Sequence, residues 1–243
     1  MRALFLKEIR SFLSSLTGYI VITIFLAVTG LFLWVIPSES NILDYGYANL
    51  DGLFIIGPFV FLFLVPAVTM RSFADERKSG TIELLFTRPL SDFRIVWAKY
   101  TAAVVLVIFS LIPTLIYYVT VYRLGFPAGN IDSGGFWGSF IGLFLLGAVF
   151  VSIGIFASAV TDNPVVSFVL AVLTSAFLYL GFEFISSLNL FGNFDLFIKS
   201  LGISDHYSSI SRGVIDTRDL VYFFSVTGLF LFLTKFSLTA RKW

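Results

Sequence analysis

Apolar residues in this chain gather into long blocks, and the charged residues are swept into the segments between them. A helix that crosses the hydrocarbon core of a bilayer needs about 20 largely apolar residues. Six blocks predict such helices: residues 19–36, 53–70, 100–121, 136–160, 164–186 and 220–238. The fifth carries Glu183 near one end, and the sixth runs to Lys235, whose long side chain can reach the interface. The pattern predicts an all-α polytopic membrane protein, with the whole chain, 1–243, as one transmembrane domain.

The segments outside the blocks carry patterns of their own. Over 2–16, Phe5, Ile9, Phe12, Leu13 and Leu16 share one face of a helical wheel, and Lys7, Arg10, Ser11 and Ser14 share the opposite one. Such a helix lies in the membrane surface with its cations toward anionic headgroups; the plainer alternative is a helix packed on the rest of the protein. The first block is too long for a signal peptide and lacks a clear small-residue cleavage site, so it reads as an uncleaved helix. Residues 187–219 are too polar to span, and an amphipathic stretch over 191–203 predicts short helices dipping into the outer leaflet. In the fourth block Gly134, Gly138 and Gly142 recur every four residues, followed by Gly147, Ser152, Gly154 and Ser158. Small residues in a row let another helix approach closely, although glycine is also common in membrane helices generally. Pro58, Pro66 and Pro113 predict kinks.

Composition agrees with immersion in lipid. Hydrophobic residues make up 58% of the chain and charged ones 13%, against about 25% charge in soluble domains. The lysines and arginines then orient it. The N-terminal segment holds three, the loop after the second block six, the C-terminal tail three, and the connections on the other side only four in all. Cations concentrate on the cytoplasmic side, so both termini are expected in the cytoplasm. A net charge of +1 gives no footprint for nucleic acid, and with no cysteine and one histidine no metal site is expected. His206 reads as a surface residue rather than a ligand. Glu183 is the one acid within a span; it reads as an interfacial residue facing water, the alternative being a proton or substrate site. No catalytic residue is expected. No lysine follows a glycine, so there is no G-x-x-x-x-G-K-[ST] phosphate loop, and the chain is not itself an ATPase.

The loop 71–99 mixes six cations and four anions around Ile82, Leu84, Leu85 and Phe86. Gly80 suits a helix start, Glu83 suits its positive end, Pro89 stops it, and Ser91 with Asp92 caps the next helix. A short two-faced helix at the membrane surface suits docking of a cytosolic protein; the alternative is a solvated loop. The run Glu76-Arg77-Lys78-Ser79-Gly80-Thr81-Ile82-Glu83-Leu84-Leu85, then Arg88-Pro89 and Lys99, resembles the signature of type-2 ABC transporter permeases.

That resemblance implies two permeases, identical or homologous, each seating a coupling helix in a groove of a separate ATPase subunit that holds the ATP and magnesium; this chain itself would hold no cofactor. The coupling helix would be Gly80, Thr81, Ile82, Glu83, Leu84, Leu85 and Phe86, with Gly80 and Thr81 at its start and Glu83, Leu84 and Leu85 meeting the ATPase. The run from His206 to Asp216, with Ser209-Ile210-Ser211-Arg212-Gly213-Val214-Ile215-Asp216 at its core, is similar to a subgroup that includes the permeases of gliding motility and of nitrous-oxide-reductase maturation, the gliding-motility type being favoured. A membrane scaffold that anchors a motility or secretion machine without transporting anything is the competing reading. An ion-coupled carrier is disfavoured by the scarcity of charge inside the spans.

Overall fold

The computed structural model describes residues 2–82, 91–190 and 192–240, and every regular element among them is a helix. In chain order the principal helices are α1 (Arg2–Ser14), α2 (Leu16–Trp34), α3 (Asp51–Thr69), α4 (Ala74–Lys78), α5 (Asp92–Leu111), α6 (Leu115–Leu124), α7 (Ser133–Val160), α8 (Pro164–Ala176), α9 (Phe182–Ser187), α10 (Ile203–Ile210) and α11 (Thr217–Ala240). Among the described residues five helical stretches are long and apolar enough to cross a membrane: Asp51–Lys78, Asp92–Leu124, Ser133–Val160, Pro164–Ser187 and Thr217–Ala240. The pair Ala3–Ser14 and Gly18–Trp34, bent by 62°, raises the number to six when it is taken as one broken span. The chain is thus built around membrane-embedded helices at the positions the apolar blocks mark.

The bend between α1 and α2 has a local cause. Ser15 leaves helical geometry, and its hydroxyl accepts the Gly18 N–H and donates to the Phe12 carbonyl. A Cβ at position 18 would strike that same carbonyl oxygen, so glycine is what lets α2 start so close to the end of α1. On α1 the side that meets the protein carries Leu4, Glu8 and Phe12 at four-residue spacing, with Leu13 beside them, and Glu8 is its most buried residue. The wheel drawn from apolar residues alone leaves Glu8 out.

Prolines divide into two kinds. Pro113 breaks the third span into a 3₁₀ turn, Ile112–Thr114, between α5 and α6. Pro58 and Pro66 lie inside α3, which keeps its helical course. A proline removes the N–H that would bond the carbonyl four residues back, so Pro58 strips Phe54 of its partner. Tyr207 of α10 supplies one: its hydroxyl donates to the Phe54 carbonyl at 2.7 Å. Burial, reinforced by Tyr179, pushes the Tyr207 phenol well above its ordinary range and keeps that hydrogen in place.

α7 is the centre of the bundle, with 78% of its most apolar window buried against 22% for Pro164–Ser187 and for α11. Its small residues receive the neighbours. A Cβ on Gly147 would press on Phe61 and Val107, and one on Gly154 would overlap the side chain of Thr69. Gly138 abuts the backbone of Gly213, and Gly142 abuts Ile210. The neighbour at these two glycines is thus α10 and the turn after it, a short helix rather than another span. Gly134 faces only the carboxylate of Asp132, which caps α7 by accepting the Gly135 N–H. Gly213 adopts φ +84°, the left-handed region that disfavours a side chain, and sits against Gly135.

The two titratable residues singled out beyond the loop 71–99 separate. Glu183 is exposed at the end of the fifth span. His206 is buried, 8% exposed, which corrects the expectation of a surface position. Its partners lie thirteen and six residues away in sequence, at Asp219 and Ser200, so hydropathy alone gives no sign of its burial.

Stability measurements in detergent test this packing. Gly138→Val is expected to lose about 1–3 kcal/mol through overpacking against backbone that cannot yield, whereas Gly134→Ala is expected to lose nothing. Equal stability of the two variants would place the tight contact elsewhere. Tyr207→Phe is expected to cost about 1–3 kcal/mol by orphaning the Phe54 carbonyl; a neutral result would mean that Pro58 needs no compensation.

Candidate functional site

At one end of the bundle a cluster of charged side chains is centred on Lys99, on the first half of α5. This lysine is almost wholly buried, with its side chain 1% exposed. An ammonium has three N–H donors, and three acceptors surround this one. Glu76 Oε1 lies at 2.9 Å, Glu8 Oε1 at 3.1 Å and the Ser72 carbonyl at 2.7 Å. The Phe73 ring stands 5.0 Å from the nitrogen, adding a cation–π contact. Lys7 bridges the same two carboxylates from the surface, at 3.3 Å from Glu8 and 3.5 Å from Glu76. Two cations and two anions thus balance within one cluster, which a buried charge requires.

Lys99 and its three acceptors each come from a different element. Glu8 lies on α1, Glu76 on α4, Lys99 on α5, and Ser72 in the turn between α3 and α4. That turn is held from the other side by α7. The Ser158 hydroxyl accepts the Phe73 and Ala74 N–H groups at 2.8 and 3.0 Å and donates to the Met70 carbonyl at 3.0 Å. Ser158 thereby does for the start of α4 what a capping residue in the same strand of sequence normally does. Gly154, one turn earlier on α7, makes room for Thr69. The C-terminal helix closes the same end, where Thr239 reaches Asp92 and Ser237 donates to the Ala159 carbonyl.

From this anchored turn the chain runs directly into the predicted coupling segment. Ser79 ends α4, and its hydroxyl bonds the Asp75 carbonyl and the Thr81 hydroxyl. Gly80 follows at φ +69° with its N–H donating to the Arg77 carbonyl. That is the left-handed residue that closes a helix, so Gly80 terminates α4 before the chain turns. Ile82 is helical again. Glu83, Leu84, Leu85 and Phe86 lie outside the described residues. Beyond them, Ser91 stands in extended geometry at the start of α5 without a side-chain cap bond. Gly134, Gly138 and Gly142 belong to the opposite end of the bundle and take no part here.

Of this cluster, Glu76 and Lys99 stand in the sequence motif, but Glu8 was missed. Its signal is that it is the only acid in the first 38 residues, set amid three cations and on the Leu4–Phe12 side of α1. Ser158 gave no signal beyond its size.

The cluster can be tested by unfolding. Lys99→Met leaves Glu8 and Glu76 facing each other under cover and is expected to cost about 3–5 kcal/mol. Glu8→Gln keeps an acceptor and is expected to cost less than half of that. If Lys99→Met unfolds at the wild-type denaturant concentration, the cluster does not hold this end together.

A comparison with protein families matches residues 36–201 to the model described as ABC-2 family transporter protein. No curated protein matches the chain. The matched region runs from the end of the first span to the helices after the fifth, and includes the α3–α4 turn, Gly80 and Lys99. Covering more than half of the chain, on a bundle of membrane-crossing helices, the match establishes that this protein belongs to the ABC-2 family, the membrane-spanning permease components of ABC transporters.

Proposed function

We propose that the protein is the permease subunit that couples ATP hydrolysis on a separate ATPase chain to export or to the drive of a gliding-motility machine. The observation that carries this reading is the placement of the Lys99 cluster immediately before Gly80. A docking segment transmits force only if its root is fixed, and here the root is held to α1, α5 and α7 at once. Movement imposed on residues 80–86 would pass into α4 and, through Glu76 and Lys99, into α5 and α1 rather than dissipate in a loop. Gly80, Thr81 and Ile82 would open the contact, with Glu83, Leu84, Leu85 and Phe86 meeting the ATPase groove. ATP and magnesium belong to that partner, and a second permease, identical or homologous, completes the pathway.

The excess of lysine and arginine at this end supports a cytoplasmic position for it and for both termini, with the inner membrane of a bacterium as the host. The remaining surface of α1, with Lys7 and Arg10, would then lie against headgroups. The gliding-motility reading rests on the likeness of the run from His206 to Asp216 to that subgroup, and this run lies beyond the matched residues 36–201.

Affinity purification from detergent-solubilised membranes tests the proposal. Wild type is expected to retain an ATPase bearing a phosphate-binding loop, and a Glu83→Arg, Leu85→Asp double variant that still inserts is expected to lose it. Absence of any ATPase with wild type would overturn the permease reading in favour of an autonomous anchor or carrier.

A further inference from the structure

At the end of the bundle away from Lys99, α10 is fastened to three spans. Tyr207 holds α3 through the Phe54 carbonyl. Ile210 and Gly213 lie on Gly142 and Gly138 of α7, and the Ser139 hydroxyl donates to the Ser211 carbonyl at 2.8 Å. His206 holds α11 through Asp219, with Nδ1 2.7 Å from Oδ1. The other ring nitrogen, Nε2, lies 2.9 Å from the Ser200 carbonyl. The imidazole is stacked on Tyr222, with centroids 3.9 Å apart, and the Tyr222 hydroxyl donates to the Leu201 carbonyl.

Counting hydrogens gives the number of protons that both contacts need at once. A carbonyl only accepts, so Nε2 must carry a hydrogen. At 2.7 Å a hydrogen must also lie between Nδ1 and the carboxylate, on one or the other. A neutral imidazole beside an ionised carboxylate has one hydrogen too few: either the Ser200 bond is lost, or a bare nitrogen lone pair faces a carboxylate oxygen. Both residues are buried, at 8% and 5% exposure, so water does not replace the missing hydrogen cheaply. The surrounding groups do not supply it. Tyr222 is committed to Leu201, and the neighbouring charges, Lys199 and Asp205, pair with each other at 3.5 Å.

We propose that His206 and Asp219 form a proton-dependent clasp that holds residues 200–213 over the ends of α3, α7 and α11 and loosens when its shared proton is lost. The sign follows from the count. The closed segment binds one more proton than the loosened one, so closure is favoured at low pH and weakens as pH rises. Histidine is the side chain suited to such a change near neutrality. The exposed hydrophobic residues Leu190, Phe194, Leu196 and Phe197 lie just before the clasp, so its loosening frees a segment already rich in outward apolar surface.

Hydrogen exchange on the full chain in detergent, corrected for the intrinsic pH dependence of amide exchange, tests this at about pH 5.5 and about pH 8.5, on either side of the ordinary histidine range. Protection of residues 200–213 in wild type is expected to fall by about tenfold or more between the two, as for one coupled proton. Asp219→Asn is expected to abolish the step, because an amide can donate to a neutral imidazole and no extra proton is needed. Tyr207→Phe is expected to lower protection equally at both values while keeping the step. The proposal is overturned if wild type shows no step, or if Asp219→Asn keeps it.

Discussion

The close approach of other elements to α7 is the constraint on which the rest of the fold depends. Within a bilayer the hydrophobic effect does not drive helices together, and packing plus the satisfaction of polar backbone groups must do so. α7 meets both needs with the same small residues. Gly138, Gly142, Gly147 and Gly154 admit α10, α3 and α5 to near-backbone contact. Ser139 and Ser158 use their hydroxyls on main-chain groups of the turns that follow α10 and α3. A larger residue at any of these sites would separate elements whose polar groups have no water to turn to.

The two ends of the bundle apply this logic to different chemistry. At one, Ser158 fixes the α3–α4 turn and so brings Glu76 within reach of Lys99; the ammonium then gathers Glu8 and with it α1. A buried ion cluster of this kind contributes little net stability but makes each partner costly to lose. That property suits a junction that must move as one piece. At the other end, the seat made by Gly138 and Gly142 places α10 where His206 meets Asp219 and Tyr207 meets the carbonyl that Pro58 leaves open.

Much of this was legible before any coordinates. The apolar blocks fell on helices, although the block 100–121 lies inside a helical stretch that begins at Asp92; the segment read as a helix over 2–16 is helical over Arg2–Ser14, and Pro113 marked a real break. The motif from Glu76 to Lys99 led to the family that the matched region shows. Other features were not legible for physical reasons. Glu8 was passed over because a wheel sorted by hydropathy has no place for a buried charge. His206 was read as exposed because its acceptors are supplied by separate elements. Gly80 was read at the start of a helix; its left-handed backbone also closes the one before it, and Ile82 is helical two residues on.

The sequence by itself determined the helical class, the apolar segments and the uneven spread of cations among the segments between them, because these follow from the hydropathy and charge of successive residues. The tertiary structure alone decided which glycine receives which neighbour, and that Lys99 is satisfied by an acid 91 residues away and another 23 residues away. Those pairings depend on the relative position of helices, which is set by packing against α7 and carries no periodic mark along the chain.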